Sequence, residues 1–119
     1  MNPKNHVLYS GAAQGSESEF GKLAEKFGVQ EVNYTFNGHI IYRTRGLRVL
    51  TSEELLKGDV SLAYLSKLMN RKYNTGSMFK KVLQSIWHQI NSAEEVFVVG
   101  TILDDKTVKG GTGWGAEYS

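Results

Sequence analysis

The chain has 119 residues, 40% of them hydrophobic and 22% charged, with a formal net charge of +2 and no cysteine. That is enough chain for one buried core, too little positive charge for sequence-independent nucleic-acid binding, and no material for disulfides, thiol nucleophiles or cysteine-based zinc sites. There is no apolar run of about eighteen residues and no basic segment leading into an apolar one. The expectation is therefore a cytoplasmic protein without a membrane span, organised as one domain over residues 1–119.

Taken in chain order, "NHVLYS" is a short apolar run that stops at "GAAQG", and "SESEFGKLAEKFG" then carries Phe20, Leu23, Ala24 and Phe27 at helical spacing. This reads as strand, tight loop, helix. Ser16 with Glu19 three residues on has the form of a capping box, Glu17 lies near the positive end of the helix, and Gly28 is placed to end it. "VQEVNYTF" is β-prone and reads as a second strand. Residues 37–46 form a loop holding Arg43 and Arg45, and "LRVLT" is a brief third strand.

Thr51 with Glu54 marks a short helix closed by Gly58, and "DVSLAYLSKLMNRK" starts another with Val60, Leu62, Tyr64, Leu65 and Leu68 along it. "SMFKKVLQSIWHQIN" sets Phe79, Val82, Leu83, Ile86 and Ile90 on one face, with Trp87 assigned to packing. The apolar run "EEVFVVGTIL" reads as a central strand, followed by a hairpin over 101–109 and the terminal "GGTGWGAE". This alternation predicts an α/β fold: a Rossmann-like, open, mostly parallel sheet with helices on both faces.

In such sheets ligands bind beyond the carboxyl ends of the strands, where loops converge. The loop "YSGAAQGSE" follows the first strand and opens a helix, so the amides around Ser10, Gly11, Ala12, Gln14 and Gly15 are candidates to face an anion. It is not a P-loop, because Lys22 is followed by Leu23 where that motif needs Ser or Thr. Arg43 and Arg45 offer planar donors for phosphate, with a solvated charged loop as the competing reading. Gly110, Gly111, Thr112 and Gly113 form a second glycine loop, in which Trp114 is placed to stack on a ring. His6, His39 and His88 have no ligand spacing, so no metal and no cofactor are expected, and only His39, beside the arginines, lies near the candidate residues.

Three stretches carry a resemblance to a known group. "YSGAAQGSE" is similar to the first-strand glycine loop of the SLOG superfamily, the Rossmann-like group containing the DNA-processing protein A fold and the lonely guy phosphoribohydrolases. "LMNRK" resembles the hydrolases' M-x-E-R-K helix end, and "KGGTGWGAE" resembles their P-G-G-x-G-T-x-x-E motif through Gly110, Gly111, Gly113 and Glu117. The resemblance implies a nucleotide-derivative ligand. It also maps Arg71 and Glu117 onto the hydrolases' catalytic arginine and glutamate, which act on the N-glycosidic bond of a nucleoside monophosphate.

The chain departs from that pattern at Lys109, where the hydrolases have proline, at Trp114, where they have threonine, and at Asn70, where they have glutamate. It also stops two residues after Glu117. These departures favour a binder over a hydrolase. The expectation is a protein that senses or sequesters an ADP-ribose or cyclic ADP-ribose type of signal, as in antiphage defence, and that assembles as a homo-oligomer. The alternatives are a phosphoribohydrolase using Arg71 and Glu117, or an interaction domain with vestigial loops. Neither nucleic acid nor membrane is an expected partner.

Overall fold

The strands Val7–Ser10 (β1), Gln30–Thr35 (β2) and Leu47–Val49 (β3) form one sheet in the order β1-β2-β3, with both pairings parallel. The computed structural model describes residues 6–73, 77–94, 115, 117 and 118. The helices given by the described residues are Ser16–Lys26 (α1), Ser52–Leu56 (α2), Asp59–Met69 (α3) and Ser77–Ser92 (α4). The chain is thus an α/β protein with a parallel sheet. Of the run expected as a central strand at 94–103 only Glu94 is described, and the hairpin that follows and the glycines before Trp114 lie outside the described residues.

Side chains alternate across a strand, so β2 sorts its residues onto two faces. Tyr34 and Val32 lie on one face and pack with Tyr9, Phe36, Leu50, Leu55 of α2 and Val82 of α4. The other face carries Glu31, Asn33 and Thr35, all buried. Helix α1 covers that polar face, and Gly21 makes the approach possible: a Cβ there would lie 2.3 Å from Arg43 Nε and 2.6 Å from Glu31 Oε2. Helices therefore flank the sheet on both sides.

A parallel pair needs a crossover, usually a helix. Between β2 and β3 this chain uses the loop 36–46 instead, and Arg43 of that loop is clamped onto Glu31 beneath α1. The crossing strap is fixed at both ends by the backbone, through Asn33 N–H to the Gly46 carbonyl at 2.9 Å and Leu50 N–H to the Thr35 carbonyl at 2.7 Å.

A second apolar cluster joins Leu62, Leu65 and Met69 of α3 to Tyr73 and Leu83, with Ile86, Trp87 and Tyr118 packed against it. Each such fully buried side chain contributes about 1.5–3 kcal/mol relative to exposure. Helix α4 is the shared spine, since Val82 belongs to the sheet cluster and Leu83 to the α3 cluster. On α3 the inward stripe is Leu62, Leu65 and Met69, whereas Val60, Tyr64 and Leu68 are exposed.

The capping box at α2 forms as expected, with Glu54 N–H donating to Thr51 Oγ1 and Thr51 N–H to Glu54 Oε1, each at 3.1 Å. The one expected at Ser16 and Glu19 does not. Gly15, at φ 93°, occupies the N-cap and Ser16 is already helical, so its hydroxyl cannot cap. Glu19 pairs with Lys22 at 3.3 Å, no side chain caps the start of α1, and Glu17 turns back to accept from the loop amides of Gly11 and Ala13.

Candidate functional site

A carboxylate on a central strand under a helix must be neutralised or paired. Glu31 has a fully buried side chain, and Arg43 meets it with two donors, Nε to Oε2 at 2.7 Å and Nη2 to Oε1 at 2.9 Å. Asn33 Nδ2 adds a bond to Oε2 at 2.6 Å, and Arg45 Nη1 one to Oε1 at 3.4 Å. Burial alone pushes the Glu31 carboxyl up, but the donors of Arg43 and Asn33 and the charge of Arg43 together hold it below its ordinary value. Arg43 also donates to Glu25 of α1 at 2.8 Å, and its own pKa is raised, first by the hydrogen bonds it gives Glu31 and then by the one it gives Glu25.

The polar stripe continues toward the carboxyl edge of the sheet. Ser10 is the register partner of Asn33, so the two share the face that α1 covers. Asn33 Nδ2 also donates to the Arg45 carbonyl at 2.7 Å, which fixes the amide orientation and leaves Oδ1 as the free acceptor. Among the described residues neither Asn33 Oδ1 nor Ser10 Oγ has a hydrogen-bond partner, although both residues are buried. Beyond them Thr35 Oγ1 meets His39 Nδ1 at 3.1 Å, and the His39 ring stacks on Phe36 with centroids 4.6 Å apart. Burial lowers the His39 pKa, and the charge of Glu17 opposes that shift.

Over this stripe lies the loop between β1 and α1. Ala12 is fully buried and adopts φ 59°, a conformation uncommon outside glycine and often found where loops hold ligands. The turn brings the N–H groups of Gly11 and Ala13 onto one point. That point is occupied by Glu17 Oε2, which accepts from Gly11 at 3.2 Å and from Ala13 at 3.0 Å. Ser18 Oγ secures the loop from below by donating to the Ala13 carbonyl at 2.6 Å.

The structure brings two groups of candidate residues together. Tyr42 N–H donates to the Ala12 carbonyl at 2.8 Å, which joins the loop holding Ser10, Gly11, Ala12, Gln14 and Gly15 to the strap holding Arg43 and Arg45. Gln14 and Gly15 are exposed, whereas Gly11 and Ala12 are buried. Both arginines are engaged by Glu31.

Arg71 belongs elsewhere. It follows the α3 C-cap Asn70, which sits at φ 52°, and its N–H donates to the Ser66 carbonyl at 3.1 Å. Glu117 is exposed beside Tyr118, whose ring lies 6.3 Å from that of Trp87. Gly110, Gly111, Thr112, Gly113 and Trp114 lie outside the described residues.

Glu31, Asn33, Thr35 and the bonds of Glu17 to the loop amides were not among the candidates read from the sequence. A signal for the first three is present: in "EVNYTF" every second residue from Glu31 is polar while the alternate ones are Val32, Tyr34 and Phe36. A middle strand covered on both faces should be apolar on both, so a polar face there marks a built interior site. Among the described residues no group of three or more His, Asp or Glu is placed to hold a metal ion, and no helix is long and apolar enough to cross a membrane. Compared with family models, curated proteins and solved structures, the chain shows no match.

Proposed function

We propose that the chain binds a nucleotide-derived small molecule at the carboxyl edge of its parallel sheet, as a Rossmann-like binder acting in the cytosol. The observation that carries this reading is that the buried atoms Ser10 Oγ and Asn33 Oδ1, near the joined β1 and β2 loops, have no partner among the described residues. Buried polar atoms are rarely left unmade, and Asn33 Oδ1 accepts only, so the complementary group is a donor such as a ribose hydroxyl or a base amino group. The position agrees with the general rule for parallel sheets, and the left-handed Ala12 gives the loop the close backbone approach such ligands use. Sequestration or sensing of an ADP-ribose type of signal is the form of this function that the loop resemblance supports.

The test is thermal-shift and calorimetric titration with AMP, ADP, ADP-ribose and cyclic ADP-ribose isomers, followed by chromatographic recovery of the ligand. Ligand at a hundredfold over its Kd stabilises a protein by about 2.7 kcal/mol. Recovery of the ligand whole is the expected result. Release of free base and ribose phosphate, lost in Glu117→Gln, establishes the hydrolase instead, and no binding across the panel rejects both.

A further inference from the structure

The amides of Gly11 and Ala13 converge as an anion seat does, at the start of α1 where the helix dipole favours negative charge. Their occupant is the protein's own Glu17. We infer that Glu17 is an internal competitor for this seat, and that the anionic group of a ligand, a phosphate or pyrophosphate, binds by displacing its carboxylate from the two amides. The inference rests on the nucleotide reading for the identity of the ligand, but not for the chemistry of the seat.

Three features support displacement over a purely structural contact. Ser10, the residue directly before Gly11, is buried and its Oγ has no partner among the described residues, so the seat adjoins a hydroxyl donor that Glu17 leaves unused. A further donor is close by, because a Cβ built on Gly11 would lie 2.8 Å from Gln89 Nε2 of α4 and 3.0 Å from Glu17 Oε2. The swap is also balanced. A phosphate oxygen takes the same two N–H bonds that the carboxylate gives up, while the Glu17 side chain, only half-buried on the first turn of α1, moves into water.

Occupancy by Glu17 lowers the apparent anion affinity by the fraction of molecules in which the seat is open. Removing the carboxylate therefore strengthens binding, which is the reverse of what loss of a purely structural loop contact does. The experiment compares wild type, Glu17→Gln and Glu17→Ala by calorimetry with inorganic pyrophosphate and with ADP, alongside amide NMR spectra of Gly11 and Ala13. The expected order of affinity is Glu17→Ala above Glu17→Gln above wild type, by about tenfold or more across the series, with the Gly11 and Ala13 amides shifting on titration.

If Glu17→Ala proves unfolded by circular dichroism, Glu17→Gln carries the comparison, since its side-chain oxygen still accepts from the loop. Equal affinities, or weaker binding in the variants, overturn the inference while leaving the nucleotide reading intact. Pyrophosphate binding by the variants with those amide shifts, and no response to ADP or the other nucleotides, supports the inference and rejects the nucleotide reading. Absence of binding to every probe in all three proteins overturns both.

Discussion

Ser10 and Glu31 show how one face of one strand pair separates binding from stability. The Ser10 hydroxyl has no partner among the described residues, so Ser10→Ala removes an unmet polar group from the interior. We predict a melting temperature equal to or slightly above wild type. Under the proposed function, the affinity of Ser10→Ala for the nucleotide is expected to fall by about 0.5–1.5 kcal/mol, the net worth of one hydrogen bond. Thermal melts and calorimetric titration on the same preparation check both halves.

Arg43 behaves oppositely, because Arg43→Ala strands the Glu31 carboxylate in the interior and is expected to cost about 3–5 kcal/mol. Arg43→Met combined with Glu31→Leu should recover most of that loss in a chemical-denaturation series. The sign of the pH dependence follows from the same pair. The folded Glu31 pKa lies below the ordinary value of 4.5, so the unfolded chain takes up protons first as the solution is acidified. The stabilisation is therefore complete above about pH 4.5 and disappears as pH falls through the lower folded value. Asp59, also lowered, and Glu54, held at about 2 by the Thr51 N–H and then Arg48, act in the same direction. Thermal melts from pH 7 to pH 3 should fall steeply below pH 5, and less steeply in the Arg43→Met, Glu31→Leu double variant.

At the scale of elements, the strap between β2 and β3 depends on Gly46. Its φ is 61°, and a Cβ there would lie 1.8 Å from the Glu31 carbonyl oxygen, a backbone atom that cannot turn aside. Gly46→Ala thus combines left-handed strain with a clash and is predicted to destabilise by at least about 1–3 kcal/mol, read as a lowered urea midpoint at constant slope. Thr51→Ala removes one side of a formed capping box and should cost about 1 kcal/mol. An equal loss in Ser16→Ala would contradict the finding that Gly15 holds the N-cap of α1 and that Ser16 makes no capping bond.

For the whole molecule, α4 couples the sheet cluster to the α3 cluster, so damage to either is expected to spread to the other. His88 Nε2 lies 2.6 Å from the Glu54 carbonyl of α2, and Tyr34 OH lies 2.9 Å from Ser92 Oγ at the end of α4. Near Gly58, Trp87 packs so closely that a Cβ would stand 2.7 Å from its ring. Outside this framework Val60, Tyr64 and Leu68 stand exposed at four-residue spacing on α3, with Val60 85% exposed. The proposed homo-oligomer predicts a dimeric or larger mass by light scattering at micromolar concentration and a monomeric mass for Val60→Lys with Tyr64→Lys. A wild-type monomer under those conditions excludes that assembly.

Local chemistry was enough to read the order of the described elements from the sequence, because spacing, turn glycines and the Thr51–Glu54 pair act within a few residues. The apolar stripe of α4 and the loop after β1 were legible for the same reason. Other features depended on contacts far apart in the chain. Arg43 and Arg45 read alone as donors awaiting phosphate, yet Glu31, twelve residues before Arg43, holds them both. The glycine loop read alone as an open row of amides, yet a carboxylate one turn later closes on it. A local pattern states which groups a segment offers, but which of them remain unsatisfied depends on what folding brings against them. Only the tertiary structure therefore identified Ser10 Oγ and Asn33 Oδ1 as polar atoms of the sheet's α1 face that are still without partners among the described residues.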